Sequence, residues 1–293
     1  MATLRELKGR IGSVASSEKI TGAMKMISSA KMHKAEASLR RLVPFRSQVD
    51  TIIANLLSSD AEFSSPLITP RPVSRLAIVV WGSDDGLCGA YNVNIYKQLL
   101  LKIKELRQNL GENIDIEVIA VGRKIAKLTR AISGVSTIQI EGIDSKSDGK
   151  QVDSFMKRLV ENFNNKDYDR VDVLYMSFKS VARQRIASLQ LLPVEYSTFA
   201  QAAEGLPAGR PYIFEPGPNA IFNSVLPLFL MSTMQEIFTE NRASEQAARV
   251  MAMQSANDNA KKLLEQLHLE YNKLRQQSIT TELLDIVGGQ ARD

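Results

Sequence analysis

AKKLLEQLHLEYNKLRQQSITTELLDIV, residues 260–287, places apolar side chains at Ala260, Leu264, Leu267, Tyr271 and Leu274, in alternating steps of four and three. Ile279, Leu283 and Ile286 resume the rhythm after a slip. A repeat of this period is a coiled-coil seam, narrower than the apolar stripe of a globular helix. From Leu228 to Val287 there is neither glycine nor proline, and Ala, Leu, Met, Gln, Glu and Lys dominate, so the whole stretch favours helix. One helix of that length would run roughly 90 Å at 1.5 Å per residue, more than a compact domain could bury. Ala248, Ala252, Ala256 and Ala260 form a row of small side chains that would admit a partner helix closely. The C-terminal arm therefore needs a companion.

The N-terminus supplies one. Leu4, Leu7, Ile11 and Val14 step by three, four and three; Ile20, Met24 and Ile27, then Ala35, Leu39 and Leu42, repeat the pattern after slips. Gly9, Gly12 and Gly22 each cost such a helix about 1 kcal/mol relative to Ala, so it requires tertiary support. Two seam-bearing arms, residues 1–58 and 211–293, pair antiparallel within the chain if the intervening segment brings them together, because intramolecular pairing has a high effective concentration.

That segment alternates β-branched runs with helical stretches. The runs are Leu76–Trp81, Ile116–Val121, Val135–Ile140, Val171–Phe178 and Arg185–Leu192; helices fall near 90–109, 123–132 and 151–163. The pattern predicts a mostly parallel, Rossmann-like α/β sheet over residues 73–210, with the last two strands forming an edge hairpin. Pro66, Pro70 and Pro72 end the first arm, and the Pro- and Gly-rich stretch 201–218 leads into the second, with Asn219 as a candidate N-cap. The expected class is α/β plus a long antiparallel coiled coil, the sheet domain inserted between the N- and C-terminal helices.

Composition narrows the function. The chain has 293 residues, 44% of them hydrophobic, and a formal net charge of +5. It contains no run of eighteen apolar residues, so no membrane insertion is expected. The start, MATLRELKGR, lacks a secretory h-region. A lone Cys88 suits a reducing compartment. His33 and His268 lie in separate arms without a second Cys or His at ligand spacing, so no metal is expected. The glycine-bearing turn GSDDGLCGAYN, residues 82–92, has the wrong spacing for a dinucleotide fingerprint or a P-loop, and Asp84 and Asp85 would repel a pyrophosphate. No catalytic residues and no cofactor are expected. Residues 1–46 hold ten Lys or Arg against three acidic residues, which draws an acidic partner: nucleic-acid phosphate, or carboxylates of another protein.

Three stretches carry a resemblance. RIGSVASSEKITGAMKMISSAK (Arg10–Lys31), the GSDDGLCGAYN loop, and SEQAARVMAMQSANDNA (244–260) through YNKLRQQSITTELLDIVGGQA (271–291) resemble the γ-subunit family of F-type ATP synthase, in order and over essentially the whole chain. The resemblance implies a non-catalytic central shaft. Its two ends would form an antiparallel coiled coil inside a ring of three α and three β subunits, with the α/β domain as a foot near ε and the membrane c-ring, on the cytoplasmic face of a bacterial inner membrane. It implies that rotation, driven by protons, couples to ATP synthesis and hydrolysis on the β subunits through asymmetric contacts. Arg275 and Gln276 match the family's polar catch against β loops, with Thr280 and Glu282 in the same cluster, and Met24 matches a position near an acidic β loop. Ile279, Leu283, Leu284, Ile286 and Val287 would turn in an apolar sleeve. The loop departs from the family at Asp85, commonly lysine, and at Ala90, commonly glycine, and the cysteine-bearing insertion of light-regulated relatives is absent.

The competing reading is a basic coiled-coil nucleic-acid-binding protein, whose few aromatics and shared seam argue against it. A small-molecule enzyme on a Rossmann-like domain is the third.

Overall fold

The computed structural model describes residues 3–59, 61–143, 147, 149–199 and 212–290, giving the backbone alone for 285 and 287–290. A long helix, α1 (Leu4–Leu57), is followed by β1 (Arg75–Trp81), α2 (Tyr91–Leu110), β2 (Asp115–Val121), α3 (Arg123–Thr129), β3 (Ser136–Ile140), α4 (Gly149–Asn164), β4 (Arg170–Ser180), β5 (Arg183–Leu192), a 3-10 turn (Tyr196–Phe199) and a last helix, α5 (Pro218–Gln290). The strand order is β3-β2-β1-β4-β5. All neighbours are parallel except β4 and β5, which form the expected hairpin. Every strand expected from the sequence is present within two residues of its expected ends. The chain divides into two compact units, Ala30–Ala248 and Met1–Ser29 with Arg249–Asp293.

In the larger unit the sheet is covered on both faces. Alternate side chains of β1 point opposite ways, so Leu76, Ile78 and Val80 pack on α2 and α3, while Ala77, Val79 and Trp81 pack on α4, α1 and α5. That double burial is why the central strands read as continuous apolar runs. The second face includes Val49, Ile53 and Leu56 of α1 and Phe222, Leu226, Phe229, Leu230, Ile237 and Phe238 of α5. An 18-residue stretch of α5 reaches a mean hydropathy of 1.2, and half of it is buried, as in a core helix. The segment after α1 is pinned through Arg71. Its guanidinium donates to the carbonyls of Phe163 and Tyr168, pairs with Asp169 at 3.0 Å and lies 4.1 Å over the Phe163 ring.

α1 runs through Pro44, where proline removes one backbone bond, and stays helical to Leu57. One local expectation is corrected here. α5 begins at Pro218, one residue before Asn219. Proline's fixed φ suits a first helical position, and the Asn219 carboxamide instead accepts the Ser64 N–H at 3.1 Å.

The smaller unit pairs the start of α1 with the C-terminal part of α5. Thr3 and Glu6 open α1 with a reciprocal capping box, Thr3 N–H to Glu6 Oε2 at 2.8 Å and Glu6 N–H to Thr3 Oγ1 at 3.2 Å. Asn257 Nδ2 donates to Glu18 O at 2.7 Å and approaches Thr21 Oγ1 at 3.4 Å. These contacts fix an antiparallel register in which facing residue numbers sum to about 275.

On α5, Val250, Met253, Asn257, Ala260, Leu264, Leu267, Tyr271 and Leu274 are buried or half-buried at unbroken heptad spacing, with Ala252, Gln254, Ala256 and Asp258 half-buried beside them. On α1 the corresponding positions are Leu4, Leu7, Ile11, Val14, Glu18, Thr21, Lys25 and Ser28. The expected slip at Ile20, Met24 and Ile27 does not occur. Ile20 and Ile27 are 59% and 56% exposed, and Met24 is half-buried on the flank. The heptad geometry continues through polar residues and turns the nearby apolar ones outward. Ala252 and Ala256 likewise flank the seam, whereas Ala248 packs against the sheet core of the larger unit. Close approach comes from Gly22 instead, where an added Cβ would sit 3.3 Å from Asn257 Nδ2.

The three glycines of α1 should therefore behave differently. Gly9 and Gly12 have nothing within 4 Å of an added Cβ, so Gly9→Ala and Gly12→Ala should each stabilise the smaller unit by about 0.5–1 kcal/mol. Gly22→Ala should gain nothing or lose stability, because the Asn257 amide must move. Amide hydrogen exchange across residues 4–29 of the isolated chain reads all three; equal gains at the three sites would contradict this register.

Candidate functional site

The smaller unit carries most of the candidate partner-binding residues. In its register Leu4 is level with about residue 271, so α5 continues past the end of α1. Among the described residues beyond Leu274 only Ser278 is half-buried, and Arg275, Gln276, Ile279, Thr280, Glu282, Leu283, Leu284 and Ile286 are all exposed. Leu283 and Leu284 are 57% and 66% exposed, where the sequence alone had assigned Leu283 to a resumed seam with Ile279 and Ile286. The seam instead steps from Leu274 to Ser278, and no α1 residue is left to cover the rest. Arg275 makes no ion pair among the described residues. The Thr280 hydroxyl donates to Gln276 O at 2.9 Å, and Ser278 Oγ donates to Glu282 Oε1 at 3.3 Å. The Val287 side chain lies outside the described residues.

Met24 does not join this group. By the same register it is level with about residue 251, some 24 residues from Arg275, or roughly 36 Å along the pair at 1.5 Å per residue. The expected contacts thus form two stations. Sequence reading missed the outward apolar face of α1 at the first station, where Ile20, Met26 and Ile27 are exposed. Continuing the strict heptad of residues 4–14 through the polar positions would have found it.

In the larger unit, the loop that resembles a nucleotide turn follows β1, at the point where the strand order reverses between β1 and β4. Open α/β sheets bind ligands in this crevice. Here the crevice holds Asn241 of α5, whose Nδ2 donates to Gly82 O at 3.1 Å and whose Oδ1 accepts the Tyr91 hydroxyl at 2.6 Å. The space left beside Trp81, Gly82 and Gly122 is about 10 Å³, too small for a nucleotide. The glycines serve packing and backbone shape. A Cβ on Gly82 would lie 2.4 Å from Ile125 Cβ, and Gly122 has φ +114° with a Cβ position 2.9 Å from Ser83 O. Asp84 Oδ1 accepts the Arg123 N–H at 3.1 Å, so this carboxylate serves the start of α3 where a phosphate would otherwise sit. Cys88 is buried, within 3.5 Å of Asn92 Nδ2. Among the described residues no three His, Cys, Asp or Glu are grouped to hold a metal ion; His33 lies 3.5 Å from Glu36 on an exposed helix face.

Acidic side chains crowd the interface of α1, α5 and β4. Arg46 Nη1 bonds Glu236 Oε2 at 2.5 Å and Arg46 Nε lies 3.6 Å from Asp50 Oδ2. Burial, added to the Glu236 charge and opposed by Arg46, raises the Asp50 pKa above its ordinary value. Burial likewise raises Glu240, against a Ser177 hydrogen bond that lowers it. Asp169 goes the other way. Its desolvation is outweighed by the N–H groups of Arg75 and Ser74 and by the Arg71 guanidinium, so its pKa falls.

The ATP synthase family model matches residues 3–291. An ATP synthase gamma chain of Phocaeicola vulgatus is 40% identical over 291 residues, 99% of each chain. One from Bacteroides fragilis is 39% identical over 292 residues, again 99% of each. In fold, the chain resembles one in the Euglena gracilis mitochondrial ATP synthase structure of OSCP, F1 and c-ring, with a TM-score of 0.65, 23% identity, and coverage of 98% of this chain and 93% of that one. A Tetrahymena thermophila central stalk and c-ring structure gives a TM-score of 0.54 at 22% identity, covering 81% of this chain and 99% of that one.

The buried acids set a pH dependence. A carboxyl whose folded pKa is raised favours the fold below its unfolded pKa and loses that contribution as pH climbs through the folded value. Asp50 and Glu240 therefore weaken the larger unit as pH rises from the ordinary carboxylate range toward neutrality. Asp169, with a lowered value, weakens it only at lower pH, as pH falls through its folded pKa. Glu240→Gln should raise the Tm at pH 7.5 and narrow the Tm gap between pH 5 and 7.5, at about 2–4 °C per kcal/mol for a unit of this size. Thermal unfolding of the isolated chain measures both; a lower Tm for Glu240→Gln at pH 7.5 would contradict the assignment.

Proposed function

Because the chain belongs to the ATP synthase gamma-chain family, we propose that it is the central rotating shaft of an F-type ATP synthase. Residues 1–58 and 211–293 are its two arms and residues 73–210 its foot. The observation that carries this reading is the run from Arg275 to Ile286. A helix that outlasts its own partner and leaves Ile279, Leu283, Leu284 and Ile286 exposed is built to be covered by something else. A ring of α and β subunits is that cover, with ε and the membrane c-ring at the foot. The complex works at the cytoplasmic face of a bacterial inner membrane, where a proton-driven rotor turns it.

The shaft acts as an allosteric effector. It is asymmetric, since polar Arg275, Gln276, Thr280 and Glu282 share a tip with bare leucines and isoleucines, so each β subunit meets a different face. Only contacts that differ between open and closed β conformations can shift their equilibrium. Apolar contacts, Val287 included, are non-directional and keep the turning barrier low. The Arg275–Glu282 cluster supplies the directional bonds that define resting angles, and Met24 meets β at the first station, on the α1 face. Nucleotide turnover belongs to the β subunits, and this chain is non-catalytic and holds no cofactor. The nucleic-acid alternative has no supporting observation; Lys25, one of the basic residues it would need, sits half-buried in the seam.

Expression with α and β subunits should yield one stoichiometric complex with ATPase activity. In it, Arg275→Ala should lower coupled synthesis and hydrolysis roughly 5- to 30-fold, the equivalent of about 1–2 kcal/mol for a lost charge-assisted bond, while the isolated chain keeps its helicity. Wild-type turnover of assembled Arg275→Ala would remove the catch, and failure to assemble with α and β at all would remove the shaft.

A further inference from the structure

At the switch-point crevice α5 is tied to the sheet by a cluster of side-chain hydrogen bonds, one residue beyond the Glu240–Ser177 bond. Elsewhere in the larger unit α5 packs largely through apolar side chains such as Phe229, Leu230 and Ile237. At the crevice, Asn241 donates to Gly82 O at 3.1 Å, accepts the Tyr91 hydroxyl at 2.6 Å and accepts the Met176 N–H at 3.5 Å. One turn further on, Ser244 Oγ donates to Met176 O at 3.0 Å. Asn241 and Ser244 are 3% and 0% exposed. One face of α5 is thereby joined to the end of β1, to the start of α2 and to the middle of β4.

Apolar packing resists separation but is non-directional, so it opposes the roll of a helix about its own axis weakly. Hydrogen bonds fail within a small displacement or misalignment. A roll of about 20° moves a group ~5 Å from the helix axis by roughly 1.7 Å, enough to break every bond that Asn241 makes.

We propose that Asn241, with Ser244 behind it, is a torsional lock that fixes the azimuth of α5 against the sheet, so that torque on the helix becomes rotation of the foot. Asn241 is a positioning residue, occupying with its carboxamide the place where related sheets take a ligand. The inference rests on the shaft reading above.

The test uses the complete complex in lipid vesicles, reading ions pumped per ATP hydrolysed. Asn241→Leu keeps the volume and removes all three bonds. Hydrolysis should stay within about twofold of the unmodified complex while ions pumped per ATP fall about threefold or more, because a change in coupling need not alter the β sites. An assembled Asn241→Leu complex with an unchanged ratio overturns the lock. Should that variant not assemble, Tyr91→Phe decides: loss of one hydroxyl lowers the ratio, and an unchanged ratio overturns the lock. An unmodified complex that hydrolyses ATP and pumps nothing would instead sink the shaft reading.

Discussion

The seam of the smaller unit keeps a strict heptad through residues that do not favour burial, and much else follows from that. Glu18, Thr21, Lys25 and Ser28 occupy core positions opposite α5, with Asn257 bonded to the Glu18 carbonyl. Polar seam residues give up hydrophobic stabilisation and gain a defined register. Their second effect is to displace Ile20, Met26 and Ile27 to the outside. The pair thus acquires an apolar outer face at a fixed angle to its seam, as the proposed surrounding ring requires. Fixing the register also determines where α1 ends against α5, and therefore how much of α5 is left bare.

Much of the fold was legible in the sequence because the informative patterns were local. Strands such as Leu76–Trp81, buried on both faces, announce themselves as β-branched runs, and Pro66, Pro70 and Pro72 mark the end of the first arm. The seam of α5 from Ala260 to Leu274 was equally plain. The seam of α1 beyond Val14 was not, because apolarity was followed where geometry governs: Ile20 and Ile27 look like core and are surface, while Ser28 looks like surface and is buried and Glu18 is half-buried. The resumed seam at Ile279 failed for a different reason. Whether a position is covered depends on where the other helix stops, and no local pattern states that.

The candidate site divides similarly. Exposure of Arg275, Gln276, Thr280 and Glu282 follows from the end of α1, whereas their roles came from resemblance alone. The loop at residues 82–92 was expected to be a tight strand-to-helix turn, and the contact that fills the crevice beside it was invisible in the sequence. Asn241 lies some 150 residues away in sequence from its partner Tyr91, and nothing near either residue signals the contact. Polar residues buried by tertiary contact, like the Arg46, Asp50 and Glu236 group, leave no periodic trace either.

If the start of α1 and the facing part of α5 turn together as one body, welding them should change nothing, and that is the most direct test. In a Cys88→Ser background, Thr21→Cys and Asn257→Cys place thiols on two facing side chains, which now approach to 3.4 Å through Thr21 Oγ1 and Asn257 Nδ2. ATP turnover of the assembled complex is then measured with the disulfide closed and after reduction. The account predicts that the bond forms readily and that turnover is the same in both states. Failure of the thiols to pair, or turnover that stops on oxidation and returns on reduction, would contradict it.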